Sequence, residues 1–383
     1  MNRIPSLDGL RAISILLVVI GHLAESRSTS KIGLDVAGAF ANLGVQIFFV
    51  ISGYLITKLL LQESRKTGTI SLRQFYIRRA YRILPAAMFY MLPVFFIFRH
   101  ELRWYHAAAA MLYLANFDFT HPWFLGHLWS LSVEEQFYLL WPSVLKKWTS
   151  ERTRVYILVG VIAFAPFYRI LCHALQLHGQ ADGTFPAVAD ALATGCLLSI
   201  VESQLLSFLL KLKNWRLPFI FLLVLPVLLV PIYWGVREFH LTLALLFLLW
   251  PAMHFSIAGL LLCAVQSHTW ILNAKPIAWL GKVSYSLYLW QQLFVYGKHP
   301  RAWYGPLLAL GMASISYYLV ERPALRLREK RPSKANQEEK AGLFPLTPRT
   351  ESSRAFFYFL DSRYVWVMRS CQQSESSSRK TQA

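Results

Sequence analysis

The sequence predicts an all-α, polytopic membrane protein. Of its 383 residues, 55% are hydrophobic and only 15% are charged, which is too apolar for a soluble protein of this length. The apolar residues also lie in long blocks, each close to the roughly 20 residues that a helix needs to cross a bilayer. Lys and Arg concentrate between these blocks and in the C-terminal tail, where they set the orientation of a membrane protein.

About ten transmembrane helices are predicted from these blocks. The predicted spans are 10–25, 40–61, 82–98, 127–145, 155–173, 187–204, 217–234, 240–266, 277–296 and 303–320. The block 104–117 is also apolar, but it is too short to span, which favours a re-entrant or interfacial segment.

The distribution of charge supports ten spans with cytoplasmic N- and C-termini. In that topology the N-terminal segment and the cytoplasmic connections carry 14 Lys and Arg residues, and the outer connections carry 7. An eleventh span at 104–117 would invert every later segment and place the basic stretch 146–154 outside, against the positive-inside rule. We therefore expect a transmembrane domain at 1–323 and a cytoplasmic, disordered tail at 324–383, which is charged and then rich in Ser and Gln.

Other classes of protein fit the sequence poorly. The net charge of +19 does not indicate nucleic-acid binding, because no basic groove or nucleic-acid-binding motif is visible. The charges of Asp8 and Arg11 interrupt the pattern of a cleaved secretory signal at the N-terminus. Scattered cysteines predict neither a disulfide framework nor a metal site; they are Cys172, Cys196, Cys263 and Cys371.

The first span carries a chemical face. Arg11 and His22 are eleven residues apart, which places them about 20° apart around a helix and roughly 16 Å apart along its axis. Asp8 falls near the same face. Because ionisable side chains are costly inside a membrane, this stripe is a candidate functional site.

The fourth predicted span opens with a pair of carboxylates, Glu134 and Glu135, among aromatic and aliphatic residues. Ser130 and Glu134 share a helical face. In the ten-span topology the two carboxylates lie at a depth similar to that of His22. A carboxylate beside an imidazole is the usual arrangement for abstracting a proton from a hydroxyl.

Two further groups of polar residues lie in or next to apolar segments. Arg78, Arg79 and Arg82 precede or enter the third span, where they are either ordinary positive-inside charge or an anion site shared with Arg11. In the ninth span Ser284 and Tyr288 share a face, with a role in substrate support or in helix packing. The Ser52-Gly53 pair of the second span is interpreted as a close helix contact.

These segments together resemble the membrane-bound acyltransferase 3 family of bacterial O-acyltransferases, over about residues 4–323. The resemblance rests on six motifs in order: PSLDGLRAISILLVVIGH, FFVISGYLIT, RQFYIRRAYRILP, HLWSLSVEEQFYLLWP, LGKVSYSLYLWQQ and YLVERP. It implies an enzyme of the bacterial inner membrane without a permanently bound cofactor. The implied donor is an acyl-CoA, usually acetyl-CoA, and the implied acceptor is a hydroxyl of a glycan such as lipopolysaccharide O-antigen, peptidoglycan or exopolysaccharide.

The resemblance also assigns roles to residues. The family's Arg-x10-His motif falls on Arg11 and His22, its arginine motif on Arg78, Arg79 and Arg82, and its Glu-Glu motif on Glu134 and Glu135. CoA phosphates would bind the arginines, and His22 would act as general base or carry the acyl group, oriented by one of the glutamates. Where the family often has His, this chain has Gln291, so a catalytic role for that position is doubtful. The tail lacks a Gly-Asp-Ser motif, so we expect a stand-alone form.

Two other functions are consistent with the same residues. A transporter of a lipid-linked sugar or an anion would also place polar residues at mid-membrane, but it would move substrate without consuming acyl-CoA. An inactive family member acting as a sensor or scaffold is the second alternative, and the intact Arg11, His22 and Glu134/Glu135 argue against it.

Overall fold

The structure is a computed structural model that describes residues 5–28, 30–177, 183–211, 220, 223–224, 227, 242–266, 270–295 and 304–329. The helices are α1 (Pro5–Arg27), α2 (Lys31–Thr67), α3 (Leu72–Ile97), α4 (Trp104–Met111), α5 (Leu128–Lys147), α6 (Glu151–Ala174), α7 (Phe185–Leu209), α8 (Thr242–Gln266), α9 (Trp270–Asn273), α10 (Lys275–Val295), α11 (Gly305–Ser316) and α12 (Arg322–Glu329). A π-helical segment, Tyr317–Glu321, joins α11 to α12. The described part of the chain contains no strand, which agrees with the predicted all-α class.

The helices coincide with the predicted spans wherever the structure describes them. The span 217–234 lies largely outside the described residues. Among those that are described, six helices are long and apolar enough to cross a membrane: α1, α2, α3, α6, α7 and α8. The polar residues of α5 and α10 lower their hydropathy, although both helices have 20 or more residues. The ten-span topology and the cytoplasmic termini stay predictions.

The short apolar block at 104–117 does not form a long helix. Its helical part, α4, has 8 residues, and two short 3-10 turns follow at Ala115–Phe117 and Trp123–Leu125. At 1.5 Å per residue, α4 is far shorter than a bilayer core.

At the other end of the chain, residues 324–329 of the predicted tail lie in α12, and 330–383 are outside the described residues.

Capping residues set several helix ends. The Ser30 hydroxyl accepts a hydrogen bond from the backbone N–H of Gly33 at 3.1 Å, so α2 begins well before the predicted span. At its other end α2 stops at Gly68, whose φ of 77° is a left-handed conformation that glycine adopts without strain. The Ser71 hydroxyl caps α3 in the same way as Ser30 caps α2.

Helix α1 lies between α2 and α10, and α2 also packs along α7. Small residues permit these close contacts. A Cβ at Gly21 of α1 would lie 2.7 Å from the Cβ of Ala41 in α2. Gly53 of α2 abuts the backbone of Leu192 in α7, as the sequence predicted for this glycine. Helix α1 therefore packs against α2 and α10, while Ile13, Leu16 and Ile20 on its remaining face are exposed.

Candidate active site

A central cavity collects most of the predicted site residues. Five helices line it: α1, α2, α3, α5 and α10. The charged residues are Arg11, Arg79, Arg82 and Glu134, and the hydroxyl groups belong to Ser52, Ser130, Tyr138, Ser284, Tyr285 and Tyr288. Three guanidinium groups and one carboxylate face the cavity, a set of donors that suits an anionic ligand.

The polar groups of α2, α5 and α10 are held by hydrogen bonds across the cavity. Ser52 donates to Oε1 of Glu134 at 2.7 Å. One turn earlier in α5, the hydroxyls of Ser130 and Tyr288 are 2.5 Å apart, and Tyr288 donates to the backbone oxygen of His127. The prediction that Ser130 and Glu134 share a face is confirmed, and Ser52 has a polar contact that the packing interpretation of Ser52-Gly53 missed.

The arginines differ in how their charge is compensated. Arg82 forms a 2.9 Å salt bridge with Glu321, a fully buried carboxylate that also accepts from Ser286. Arg79 instead lies over the ring of Tyr138, at 3.9 Å from its centre, and has no salt bridge within the described part of the chain. Arg79 therefore supplies a cation to the cavity that is not held in a salt bridge, although the carboxylates of Glu134 and Glu135 lie within electrostatic range.

A second group of arginine contacts extends the site toward the ends of α2 and α3. Arg78 forms a 2.5 Å salt bridge with Glu63, and Asp8 lies 3.7 Å from Arg11. Arg78 and Glu63 line a neighbouring cavity, which we call the arginine cavity. It shares four residues with the central cavity: Arg11, Ser52, Arg79 and Arg82. The two cavities therefore form a continuous cationic passage, and the four predicted arginines all line it.

His22 lies at the other end of α1 and is partly buried. Its Nδ1 is 2.8 Å from Oε1 of Gln291, so an amide occupies the place expected for a carboxylate at this nitrogen. Gln291 in turn donates from Nε2 to Oε1 of Gln292 at 3.3 Å, and Gln292 donates to the backbone oxygen of Trp123 at 2.8 Å. The pairing of His22 with Glu134 or Glu135 stays a prediction.

This chain of amides sets the tautomer of a neutral His22 side chain. The backbone oxygen of Trp123 can only accept, so the amide nitrogen of Gln292 faces it. The Gln292 oxygen then faces the Gln291 nitrogen, and the Gln291 oxygen faces His22. Nδ1 of His22 must therefore donate, which leaves Nε2 of the neutral imidazole as the basic nitrogen.

His127 connects the His22 region to the central cavity. Its ring lies 5.5 Å from that of Tyr288, which lines the central cavity, and its backbone oxygen accepts from the Tyr288 hydroxyl. Gln291, the partner of His22, follows Tyr288 by three residues in α10. The histidine end and the arginine end of the site are thus joined through the start of α5 and the middle of α10.

Comparison with known proteins identifies the family. Residues 4–324 match the acyltransferase 3 family, described as an acyltransferase domain. The chain belongs to the acyltransferase 3 family. It is 32% identical over 317 residues to the peptidoglycan O-acetyltransferase OatA of Listeria monocytogenes, covering 75% of this chain and 48% of that protein. It is 31% identical over 366 residues to the O-acetyltransferase OatA of Staphylococcus aureus, covering 84% of this chain and 57% of that protein.

The chain spans about half the length of these curated relatives. No solved structure matches it. Membership of the acyltransferase 3 family agrees with the resemblance carried by the six motifs.

The structure brings together most, but not all, of the family's motif residues. Glu134 lines the central cavity, whereas Glu135 does not, and Oε1 of Glu135 is buried without a hydrogen-bond partner in the described part of the chain. Three contacts were not predicted from sequence, those of Ser52, Gln291 and Glu321. The available signal was modest: adjacent amides at 291–292 in an apolar helix, and an acidic residue at the end of the last apolar block.

Proposed function

We propose that this chain is an integral-membrane O-acyltransferase that moves an acyl group, acetyl in the first instance, from an acyl-CoA to a hydroxyl of a carbohydrate acceptor. The observation that carries the proposal is the arginine-lined central cavity, whose Tyr288 lies one turn of α10 before Gln291, the residue that holds the imidazole of His22. A phosphate-bearing donor and a proton-abstracting group are the two requirements of this reaction.

The arginine cavity is the proposed site for the phosphates of the donor. Guanidinium groups match the geometry of phosphate oxygens and keep their charge in a partly buried site. Arg79 is the principal contact, because no carboxylate forms a salt bridge with it in the described structure. With the phosphates bound in the arginine cavity, the pantetheine arm of the donor would extend through the central cavity toward His22.

His22 is the proposed base. Its Nε2 takes the proton of the acceptor hydroxyl while the hydroxyl oxygen attacks the thioester carbonyl. The carbon–sulfur bond breaks, and CoA leaves and takes up a proton as its thiol. In an alternative order, Nε2 first attacks the thioester and CoA leaves as its thiolate; the acyl group then passes from Nε2 to the acceptor hydroxyl, whose proton goes to the thiolate. Both orders act through Nε2, and in both the amide of Gln291 holds the ring from its other side.

The acceptor is proposed from the relatives. Because one of them is named for peptidoglycan, that glycan is the first acceptor to test, ahead of O-antigen and exopolysaccharide. The site of action on this proposal is the bacterial inner membrane, with the acyl group supplied from the cytoplasm.

Mass spectrometry of envelope glycans from a deletion strain tests the proposal. We expect a loss of acetyl mass from one glycan, restored by the wild-type gene but not by His22→Ala. The matched control is His100→Ala, which removes an exposed imidazole outside the site. Full restoration by a normally produced His22→Ala protein would contradict the mechanism. Substrate movement without acyl-CoA consumption would favour the transporter alternative.

A further inference from the structure

A third cavity lies beside the central cavity, and the proposed reaction does not use it. We call it the aromatic cavity. Its volume is about 290 Å³, near the lower end of the range for small-molecule sites. Trp129 lies on its wall, and the ring of Trp129 meets the ring of Phe49, which lines the central cavity. These two side chains therefore stand between the two cavities.

The aromatic cavity lies at the level of His22 rather than at that of the arginines. Gly21, the neighbour of His22, abuts Ala41 of α2. The next residue of α2, Asn42, lines the aromatic cavity. A ligand in this cavity would thus lie near the histidine end of the site.

A second connection runs through His121, which also lines the aromatic cavity. A Cβ at Gly126 would lie 3.3 Å from His121 and 3.6 Å from the amide nitrogen of Gln292. Gln292 belongs to the amide chain that holds His22. Two sets of intervening residues therefore link the wall of the cavity to the region of His22.

Buried hydrogen bonds hold the polar wall of the aromatic cavity in place. Arg169 donates to Asp190 at 2.8 Å, and Asp190 lies 3.4 Å from His254. Asp190 and His254 are both fully buried. His254 contacts Oε1 of Gln46 at 3.1 Å, so the Gln46 nitrogen faces Asn42 and donates to it at 3.0 Å. The wall is thus preorganised before any ligand binds.

This arrangement leaves hydrogen-bond donors for a ligand. The Asn42 oxygen accepts from Gln46, whereas the Asn42 amide N–H groups have no partner in the described structure. N–H groups of this kind bind hydroxyl, ether and carbonyl oxygens.

Charge distinguishes the aromatic cavity from the central cavity. The positive charge of Arg169 is compensated by Asp190, and Asp118 adds a carboxylate to the lining. The described lining of the cavity has no excess of cations, so the cavity does not suit a phosphate. The indole side chains of Trp129 and Trp250 together with the oriented amide of Asn42 suit a ring that is both polar and partly apolar, as a sugar is.

We propose that the aromatic cavity binds a neutral sugar ring of the acceptor glycan and directs one of its hydroxyls toward His22. This inference rests on the proposed function, because it assigns the acceptor side of the same reaction. It separates the two substrates by charge: the anionic donor in the cationic passage, and the neutral acceptor in the aromatic cavity.

Binding of chitotriose and maltotriose to the purified full chain, measured calorimetrically without acyl-CoA, tests the proposal. We expect binding of at least one of them, weakened about tenfold or more by Trp129→Leu, as expected from loss of about 1.4 kcal/mol. Trp104→Leu is the matched control, because Trp104 is 82% exposed and lies outside the cavity. If Trp129→Leu does not fold, Asn42→Ala provides the second variant, with the same expected direction.

Two outcomes would overturn the proposal: no binding of either trisaccharide by the wild-type protein, or binding that folded Trp129→Leu and Asn42→Ala variants retain in full. Acyl transfer is measured separately. Sugar binding by a protein that transfers no acyl group would refute the proposed function while leaving the sugar site in place. Conversely, acyl transfer with unchanged acceptor KM in both variants would retain the function and refute the site.

Discussion

Replacing Gln291 tests the role of the amide chain most sharply. Gln291→Leu removes the acceptor for Nδ1–H of His22 and leaves this donor unsatisfied. An unsatisfied buried donor costs about 1–3 kcal/mol. If this cost falls on the transition state, the rate of acyl transfer falls about 5-fold to 150-fold, since each 1.4 kcal/mol is a factor of about ten. Gln291→Glu keeps an oxygen acceptor at the same position and should retain most of the activity.

The assay is acyl transfer from labelled acetyl-CoA to glycan by the protein in lipid nanodiscs, with kcat and KM measured for each substrate. The expected effect of Gln291→Leu is on kcat, with KM for acetyl-CoA unchanged, because the arginines are untouched. Gln266→Leu is the matched control, since it removes an exposed amide at the end of α8. A folded Gln291→Leu protein with wild-type kcat would refute the positioning role.

Three further predictions concern charged groups. Arg79→Met should raise the KM for acyl-CoA about tenfold or more, as measured by steady-state kinetics. This increase corresponds to the loss of one charge-assisted hydrogen bond, which contributes about 1.5–3 kcal/mol. Arg82→Leu should destabilise the protein by about 3–5 kcal/mol, because it leaves the buried Glu321 uncompensated, whereas the double replacement Arg82→Leu/Glu321→Leu should be less destabilised in denaturant melts. Burial opposes ionisation of Asp118, but hydrogen bonds from His106 and Thr120 outweigh it and lower the Asp118 pKa. The ionised carboxylate should therefore stabilise the protein at neutral pH, and this contribution should be lost as the pH falls through the lowered pKa. Asp118→Asn should accordingly flatten the acid side of the profile of melting temperature against pH.

The positions of the helices could be predicted from sequence because each apolar span must satisfy its backbone hydrogen bonds internally. Hydropathy located these helices but not their ends. Helix α2 begins at Lys31, whereas its predicted span begins at 40, because the cap at Ser30 extends it through a weakly apolar stretch. The failure of 104–117 to form a long helix follows from its length and from the pattern of flanking charge.

The central cavity was predictable in part for a similar reason. Spacing along one helix placed Ser130 with Glu134 and Ser284 with Tyr288, and helical geometry is independent of the rest of the fold. Contacts between distant helices carry no such periodic signal. The bond of Ser52 to Glu134 joins residues 82 apart in sequence. Only the packed structure brings such residues together.

Gln291 illustrates the limit of reasoning from a family motif. Because the family often has His at this position, the glutamine argued against a catalytic role for the position itself. In the structure it binds the imidazole of His22, 269 residues away in sequence, and an amide oxygen can accept from Nδ1–H as a carboxylate would. The residue type departs from the pattern, while the hydrogen bond that a proposed base requires is present.

The most direct test of the account compares wild-type and His22→Ala proteins in nanodiscs for two properties, binding of acetyl-CoA and transfer of its acetyl group to glycan. Arg79 and His22 lie at different ends of the site, so the account predicts that His22→Ala binds acetyl-CoA with wild-type affinity and transfers no acetyl group above the uncatalysed rate. Acetyl transfer by folded His22→Ala at the wild-type rate would contradict it.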